Sequence, residues 1–300
     1  MENRKKLIVV AGPTAVGKTA VALALAKHFQ TEIVSADSRQ IFRELHLGTA
    51  KPSADELGQV RHHFIDSHSI HEDYDAAQYG HDALALIHEL FTQHNEVILC
   101  GGSGLYVKAV CEGFDDIPEI DPAVREKLTA EFQEHGIAVL QEKMQTLDAE
   151  LYATIDRQNP QRLMRALEVR IGTGQSIAFF RKQNKRTHNF TIIKTGLTLP
   201  REELYGRIDT RMDQMIADGL FAEAESLFPL RALNALQTVG YQEIFDFMEG
   251  KYNREEAIRL LKRNSRHYAK RQLTWFTRDP GVQWFSPGEV EKIIEVVKNA

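Results

Sequence analysis

The stretch LIVVAGPTAVGKTAVALALAKHF, from Leu7 to Phe29, decides the fold of this chain. It begins with an apolar β-type run, continues through a turn that holds Gly12, Gly17, Lys18 and Thr19, and ends rich in alanine and leucine at helical spacing. The pattern G-x-x-x-x-G-K-[ST] binds an anion when it lies between a strand and a helix N-terminus, where backbone N–H groups and the helix dipole converge. The order of elements therefore predicts a phosphate-binding loop, and an ordinary glycine turn is the weaker interpretation.

Each residue type in this loop has a physical role. Glycine permits backbone angles and a close approach that a Cβ would block, and lysine adds a positive charge. The hydroxyl of Thr19 can ligate a Mg²⁺ ion that bridges phosphate oxygens, so Thr19 is the candidate metal ligand and Mg²⁺ the expected cofactor. The predicted phosphate-binding residues are Gly12, Pro13, Thr14, Ala15, Val16, Gly17, Lys18 and Thr19.

The composition excludes several classes of protein. The chain has 300 residues, of which 43% are hydrophobic and 26% charged, as in an ordinary globular protein. No apolar run approaches the length of about 20 residues that spans a bilayer, and the run after MENRKK is too short for a secretion signal. Cys100 and Cys111 do not form a metal-type pair, which argues against a disulfide scaffold or a cysteine zinc site. We expect a cytoplasmic protein without a membrane partner.

Basic residues are clustered although the net charge is −5. The segment from 157 to 186 contains a single acid, Glu168, and the segment from 259 to 278 contains none. The basic residues of the first segment are Arg157, Arg162, Arg165, Arg170, Arg181, Lys182, Lys185 and Arg186. Those of the second are Arg259, Lys262, Arg263, Arg266, Lys270, Arg271 and Arg278. Two such segments favour contact with a polyanion such as nucleic acid, with solvated helical faces as the alternative.

Strands and helices alternate along the first part of the chain. Glu32 to Ala36 is predicted as a second strand that ends at Asp37, a helix follows from about Ala76 to His94, and Glu96 to Cys100 is predicted as a third strand that ends in GGSG. Alternation of this kind predicts a doubly wound parallel sheet, in which ligands bind at the carboxyl ends of the strands. Asp37 is therefore expected near the phosphate loop.

The middle of the chain differs in character. From about Pro122 to Arg186 the pattern is almost entirely helical, and sheet-like character returns at Phe190 to Pro200. The predicted fold class is α/β, a P-loop NTPase-like doubly wound parallel sheet with an inserted all-helical domain. The predicted boundaries are 1–117 and 190–300 for the core and 118–189 for the insertion.

A phosphate loop alone occurs most often in an NTPase or a kinase. Such enzymes usually hold Mg²⁺ with an acid at the end of a second hydrophobic strand. Here the strand ending at Cys100 leads into GGSG, so Asp37 is the acid at a clear strand end, and it acts either as an outer metal ligand or as a base. A small-molecule kinase that uses ATP remains an alternative.

A set of motifs in order along the chain resembles the tRNA dimethylallyltransferase family, also called the tRNA isopentenyltransferases. The motifs are GPTAVGKT, SADSRQIF, LGTAKP, CGGSGLY, NPQRLMRALEV, RIDTRMDQMIADG, TVGYQEI and AKRQLTWF. The resemblance extends from Leu7 to Phe276, nearly the whole chain, and is far more specific than the phosphate loop alone.

The resemblance implies transfer of a dimethylallyl group from dimethylallyl diphosphate to the exocyclic amine of the adenine that follows the tRNA anticodon. The phosphate loop would grip the diphosphate leaving group, whose charge grows as the allylic carbon departs. Asp37 would act as the base, and Arg211 would support the diphosphate together with Thr19. A non-catalytic tRNA-binding protein with a vestigial nucleotide site is the second alternative.

The resemblance also implies where tRNA binds. The target base must leave its stack, so the protein should extrude it and read its edges. The implied tRNA contacts are Asp37, Ser38, Arg39, Gln40, Ser103, Arg125, Gln161, Arg162, Leu163, Met164 and Arg165. Ser103 could instead be a turn residue, and Arg125 a surface arginine that opens a helix. A monomer is the default expectation.

Basic, histidine and aromatic residues elsewhere in the chain could be either functional or structural. Arg259, Arg263, Arg266 and Lys270 follow helical spacing on one face, a stripe that can track a phosphate backbone. The adjacent pair His62–His63 is a poor metal site, because neighbouring side chains of a strand point to opposite faces. Four aromatic residues are expected to pack against the core more often than to stack on bases. They are Phe179, Phe180, Trp275 and Phe276.

Overall fold

The structure, a computed structural model, describes residues 5–115, 117–181 and 186–300. Lys182 and Lys185 of the first basic segment lie outside the described residues. The chain divides into two compact units, Met1–Gly113 with Thr187–Ala300, and Phe114–Arg186. The helical unit thus begins and ends a few residues before the predicted 118–189, because the sequence next to these boundaries carries no periodicity that marks them.

The first unit contains a parallel sheet of six strands in the described residues, ordered β3-β2-β4-β1-β5-β6. The strands are β1 Lys6–Ala11, β2 Ile33–Ser35, β3 His62–His63, β4 Glu96–Gly101, β5 Thr191–Leu197 and β6 Gln283–Phe285. Ala11, the last residue of β1, lies opposite Gly101 of β4 and Gly196 of β5. The carboxyl ends of the central strands therefore meet at one edge of the sheet. The predicted α/β fold class is confirmed.

Helices occupy most of the remaining chain. They are α1 Lys18–Phe29, α2 Ala54–Gln59, α3 Ala76–Leu90, α4 Gly104–Cys111, α5 Pro122–His135, α6 Ile137–Leu147, α7 Ala149–Thr154, α8 Pro160–Thr173, α9 Ile177–Phe180, α10 Arg201–Ala217, α11 Leu220–Leu227, α12 Gln242–Met248, α13 Arg254–Phe276 and α14 Val290–Asn299. Helix α3 stops four residues before the predicted His94, where Phe91–His94 form a closing turn. Within the described ranges, none of these helices is both long and apolar enough to cross a bilayer.

Both faces of the sheet are covered by apolar side chains. Along β1, Leu7 and Val9 belong to one hydrophobic cluster, whereas Ile8 and Val10 belong to another. Successive side chains of a strand point to opposite faces, so the apolar run of β1 serves two cores. This double burial is typical of a parallel sheet with helices on both sides.

The connections after two neighbouring central strands run in opposite directions. The chain leaves β1 towards β2 and leaves β4 towards β5, which lies on the other side of β1 in the sheet. In doubly wound folds, such a reversal opens a crevice at the carboxyl ends of the strands where ligands bind. The phosphate loop follows β1 and therefore lines this crevice.

The helical unit has a core of its own. Helix α8 lies against α5 and α6, and its Leu163, Met164 and Leu167 are buried together with Leu140 and Met144 of α6. Asp121 and Asn159 accept hydrogen bonds from backbone N–H groups at the starts of α5 and α8. These caps satisfy donors that a helix N-terminus otherwise leaves unpaired.

Gly101→Ala is expected to destabilise the first unit, because a Cβ at Gly101 would lie 2.1 Å from the carbonyl oxygen of Ala36. The clash involves backbone, so the strands must shift, at a cost of about 1–3 kcal/mol. Gly58→Ala in α2 meets open space and should instead stabilise the protein by about 0.5–1 kcal/mol. Urea unfolding measures both effects, and an unchanged midpoint for Gly101→Ala would contradict this packing.

Candidate active site

The phosphate loop adopts backbone angles that favour glycine. Gly12 has a φ of 148° and Gly17 a φ of 107°, and Ala15 between them also has a positive φ of 63°. A Cβ at Gly12 would lie 2.8 Å from the carbonyl oxygen of Leu197 in β5. The loop thus passes so close to the neighbouring strand that only glycine fits at position 12.

The N-terminus of α1 is open to a ligand. Gly17 occupies the N-cap, and within the described part of the chain no side chain caps this helix and no acid lies in its first turn. The unpaired N–H groups of the first turn carry the positive end of the helix dipole. Together with the loop they form an anion-binding nest, defined here as residues 12–19.

Lys18 carries a half-buried positive charge in this nest. Its Nζ donates a hydrogen bond to the carbonyl oxygen of Pro13 at 2.8 Å. Burial lowers the pKa of Lys18 from 10.5 to about 8, an effect that the negative charge of Asp37 only partly offsets. A bound polyanion would supply the missing negative charge and stabilise the protonated amine.

Asp37 follows β2 and is held in a turn. Its Oδ1 accepts hydrogen bonds from the backbone N–H groups of Arg39 at 2.9 Å and Gln40 at 3.3 Å. The backbone N–H of Ser38 donates to Oγ of Ser103 at 2.9 Å, and that hydroxyl donates to Oγ of Ser38 at 3.1 Å. These bonds fix the carboxylate of Asp37 at the carboxyl edge of the sheet.

Arg211 of α10 connects the nest with the segment after Thr49. Its Nη2 donates to the carbonyl oxygen of Ala50 at 2.9 Å, and its Nη1 lies 3.5 Å from the hydroxyl oxygen of Thr14. Burial lowers the pKa of Arg211, while Asp37 and Glu56 counteract this effect. Because an arginine is protonated at any physiological pH, the guanidinium stays charged in the site.

The acids that flank Arg211 in sequence do not neutralise it. Asp209 accepts two hydrogen bonds from Nη1 of Arg266, and Asp213 accepts one from Nζ of Lys262, so both acids face α13. Arg211 lies on the other side of α10 and is available to an anion.

The sequence-predicted catalytic residues line one cavity. Thr19, Asp37 and Arg211 all contribute to a cavity of about 450 Å³ at the carboxyl edge of the sheet. The cavity is also lined by Lys18 and Arg207, so cations of the nest and of α10 surround it together with the Asp37 carboxylate. Pro13 and Val16 of the nest are buried, so they contribute backbone rather than side chains.

One wall of the cavity is a segment, residues 47–50, held by side chains that the sequence did not single out for this role. Gln40 Nε2 donates to the carbonyl oxygens of Thr49 at 3.2 Å and Ala50 at 3.1 Å. The Glu223 carboxylate accepts from the backbone N–H groups of Leu47 at 2.8 Å and Gly48 at 3.0 Å.

Glu223 also accepts a hydrogen bond from the Tyr241 hydroxyl at 2.6 Å. The ring of Tyr241 lies so close to Gly48 that a Cβ there would come within 2.3 Å of it. Glu223 belongs to an ordinary helical pattern in α11, so no sequence signal identified it. Gly48 and Tyr241 lie in the LGTAKP and TVGYQEI motifs, which indicated the family but gave no position for this wall.

In the helical unit, the predicted RNA-binding residues separate into exposed and buried ones. Arg125 and Arg165 share the carboxylate of Glu168, at 3.2 Å and 3.1 Å. Arg162 is exposed, and within the described residues it has no ion-pair partner. Gln161 is also exposed and accepts a hydrogen bond from Nη2 of Arg125 at 3.2 Å.

The prediction that the whole 161–165 segment touches RNA needs correction for two of its residues. Leu163 is 0% and Met164 4% exposed, and both belong to the core of the helical unit. On a helix, positions 163 and 164 point away from the face that 161, 162 and 165 share. Their side chains therefore hold α8 in place rather than form part of its exposed surface.

The basic stripe predicted on α13 is partly neutralised. Arg266 pairs with Asp209, and Arg259 pairs with Glu256. Lys270 is exposed, and within the described ranges it has no ion-pair partner. The four residues are thus not a continuous row of free cations.

The aromatic residues and the histidine pair discussed from the sequence differ in their exposure and contacts. Phe276 is 4% exposed, as expected for a core residue, whereas Phe179 is 61% exposed, contrary to the expectation, because the short helix α9 buries Ile177 instead. Trp275 is partly exposed on α13. His62 and His63 contact different partners, the carbonyl oxygen of Val60 and the carboxylate of Glu32.

The parallel sheet and the open nest between β1 and α1 define an α/β protein with a P-loop-like architecture. A family model described as IPP transferase matches residues 40–279. A tRNA dimethylallyltransferase of Cytophaga hutchinsonii is 51% identical over 98% of this chain and 97% of its own length. One of Christiangramia forsetii is 49% identical over 96% of this chain and 95% of its own. The chain belongs to the IPP transferase family.

Solved structures agree with this assignment. The full-length tRNA isopentenylpyrophosphate transferase of Bacillus halodurans is 38% identical and superposes with a TM-score of 0.71, over 99% of this chain and 95% of its own. A eukaryotic dimethylallyltransferase acting on tRNA has a TM-score of 0.75 over 90% of this chain and 69% of its own, and at 24% identity it shows a shared fold.

The charge of Lys18 should make the stability of the unliganded protein depend on pH. Between its folded pKa of about 8 and the unfolded value of 10.5, the unfolded chain binds more protons, so stability rises with pH. At about pH 9.5 the free energy of unfolding of the wild type should be roughly 2 kcal/mol higher than at neutral pH. Lys18→Met should lack this gain, and urea unfolding of both proteins at the two pH values measures it.

Saturating pyrophosphate provides a control for the same measurement. The bound anion keeps Lys18 protonated, so the wild-type gain between neutral pH and about pH 9.5 should shrink in its presence. Parallel pH profiles for wild type and Lys18→Met without ligand would contradict burial of the charged amine in the nest.

Proposed function

We propose that this protein transfers the dimethylallyl group of dimethylallyl diphosphate to the exocyclic amine of the adenine 3′-adjacent to the anticodon of tRNA, and releases diphosphate. The observation that carries the proposal is the single cavity that Thr19, Asp37 and Arg211 share. An anion nest and a carboxylate in one cavity suit a reaction that needs both a stabilised diphosphate and a proton acceptor. Membership of the IPP transferase family supports the same reaction.

The nest would stabilise the leaving group. The bond between the allylic carbon and the diphosphate oxygen breaks, and its electron pair remains on the diphosphate. Donors that are already in place at α1, with Lys18 and Arg211, meet this growing negative charge at little cost in reorganisation. Their positive charges are partly buried, so they interact with the anion more strongly than they would in water.

Asp37 would act on the nucleophile. The lone pair of an adenine amine is delocalised into the ring, so the amine attacks carbon poorly unless a base accepts its proton. As the new C–N bond forms, the proton passes to the Asp37 carboxylate. The hydrogen bonds from Arg39 and Gln40 to Oδ1 orient that carboxylate before the base arrives.

A divalent cation is part of this proposal. Mg²⁺ commonly binds through one or two protein oxygens, substrate phosphates and water rather than through a protein cage. The Thr19 hydroxyl lines the cavity at the start of α1, where the diphosphate would bind, so the residues present fit such an ion. When bound, Mg²⁺ would neutralise part of the diphosphate charge.

The RNA would bind through cations on both units. In the helical unit the exposed candidates are Arg162, Arg165 and Arg125, with Gln161 beside them. In the first unit, Ser38, Arg39 and Ser103 lie around Asp37, where an extruded base would be read. We further propose that the protein acts in the cytoplasm as a monomer.

The function is tested with unmodified tRNA and isotope-labelled dimethylallyl diphosphate. Nucleoside analysis of the digested tRNA should show the label on an adenosine next to the anticodon. A parallel reaction with labelled ATP tests the kinase alternative. Phosphate transfer from ATP with no label in tRNA would overturn the proposal.

Asp37→Asn should abolish most of the turnover while substrates still bind. The asparagine Oδ1 can accept the same two backbone hydrogen bonds, but the side chain cannot accept the amine proton. We expect kcat to fall by a factor on the order of 10²–10⁴, with the Kd values for pyrophosphate and tRNA nearly unchanged. Asp73→Asn, at an exposed position of the same unit, is the control. Wild-type turnover in Asp37→Asn would remove this residue from the mechanism.

Arg162→Glu should weaken tRNA binding without affecting the nest. The guanidinium is exposed and outside the Glu168 ion pairs, so its reversal leaves the fold of the helical unit intact. The plot of the logarithm of the tRNA association constant against log salt should become less steep, its slope decreasing in magnitude by roughly 0.7 or more. The Kd for pyrophosphate should stay constant. Lys127→Glu, on α5 of the same unit, is the matched charge reversal. Equal tRNA affinity for wild type and Arg162→Glu would exclude this surface.

A further inference from the structure

Gln272 of α13 is a buried polar residue that the mechanism above does not use. It is 6% exposed. Its Oε1 accepts a hydrogen bond from the backbone N–H of Thr14 at 2.8 Å, and its Nε2 donates to the carbonyl oxygen of Gly102 at 2.9 Å. One amide group therefore joins the loop after β1 to the loop after β4.

These two loops support different parts of the site. Thr14 lies within the nest that would bind the diphosphate. Gly102 precedes Ser103, whose hydroxyl accepts the backbone N–H of Ser38 next to Asp37. A continuous chain of bonds thus runs from the nest through Gln272 to the turn that carries the base.

The amide matches both of its backbone partners at every physiological pH. The N–H of Thr14 can only donate and the carbonyl of Gly102 can only accept, so the bridging side chain must offer one acceptor and one donor. An ionised glutamate would retain the acceptor but would turn a negative charge towards the Gly102 carbonyl. An apolar side chain would leave two buried backbone groups without partners.

The fit of Gly102 to this bridge is close. A Cβ at Gly102 would lie 2.3 Å from Nε2 of Gln272, so the amide occupies the space that a larger residue would need. One turn earlier on α13, Tyr268 lines the cavity and is hydrogen-bonded to the Ser103 side chain. The same face of α13 therefore supports both loops.

We propose that Gln272 is a positioning residue that sets the separation between the diphosphate-binding nest and the Asp37 turn. The role rests on the function proposed above. The side chain borders the cavity, but both of its amide hydrogen bonds are made to backbone groups of Thr14 and Gly102, and it acts through these two loops. Loss of the bridge would allow the nest to relax, so that a bound diphosphate and the base would no longer be held at the spacing that the reaction needs.

The test compares Gln272→Leu, Gln272→Glu and wild type. For Gln272→Leu we expect a rise in the Kd for inorganic pyrophosphate and a fall in kcat, each on the order of tenfold, with an unchanged Kd for tRNA. Thr274→Val, at an exposed position of the same helix, should match the wild type in all three quantities.

The Gln272→Glu variant separates positioning from a merely structural role. A protonated glutamic acid again offers one acceptor and one donor, so it can restore the bridge, and burial favours this neutral form. The ratio of its kcat/KM to that of the wild type should rise by about tenfold or more as the pH falls from 8.5 to 6, whereas the ratio for Gln272→Leu should stay flat. A flat ratio for Gln272→Glu, or wild-type pyrophosphate affinity and turnover in Gln272→Leu, would overturn the proposal.

Failure of the proposed function is distinguishable from failure of this inference. Pyrophosphate binding is measured at equilibrium by calorimetry and needs no turnover. If the wild type transfers no dimethylallyl group to tRNA but Gln272→Leu still weakens pyrophosphate binding, the positioning of the nest stands and the assigned reaction fails. If Gln272→Leu does not fold, the kcat/KM of Gln272→Glu at the two pH values tests the inference instead. Both measurements are made on the same variant, so a difference between them does not reflect a failure to fold.

Discussion

The parallel register of β1 with its two neighbours is the constraint on which the site depends. Ala11 lies opposite Gly101 and Gly196, so β1 and β4 end at the same level and β5 ends just beyond it, at Leu197. The nest follows β1, and the loop of Gly102 and Ser103 follows β4. Because β2 also pairs with β4, Asp37 reaches the same edge. A shift of one residue in either pairing would carry the nest and the carboxylate apart and turn the strand side chains to the wrong faces.

Charge in the cavity is arranged for a ligand rather than for the stability of the empty protein. Burial lowers the pKa of both Lys18 and Arg211, which means that their charged forms carry a desolvation cost. Asp37 provides only part of the compensation. In the proposed reaction a bound diphosphate would supply the rest, so groups that are unfavourable in the unliganded site would become favourable when it binds. The same arrangement serves catalysis, because negative charge on the leaving group increases during the reaction.

Acids and bases are distributed so that some cations stabilise the fold and others remain available. Asp209 and Asp213 of α10 pair with Arg266 and Lys262 of α13, which joins the two helices beside the cavity. Arg211 lies on the other face of α10 and faces the nest instead. In the helical unit, Glu168 is shared by two arginines. Counting basic residues in a segment thus overstates the charge that an RNA would meet.

The sequence by itself determined the nest, its strand and helix, the position of Asp37 after β2 and the helical insertion, because each depends on local spacing or on the period of apolar residues. Only the tertiary structure decided which side chains hold these parts together. Gln272 lies 258 residues from Thr14 and 170 from Gly102, and Glu223 lies 176 from Leu47. A glutamine or glutamate on a helix has no local pattern that announces such a partner. Periodicity reports which face of an element is buried, whereas hydrogen bonds between distant segments exist only once the chain has folded.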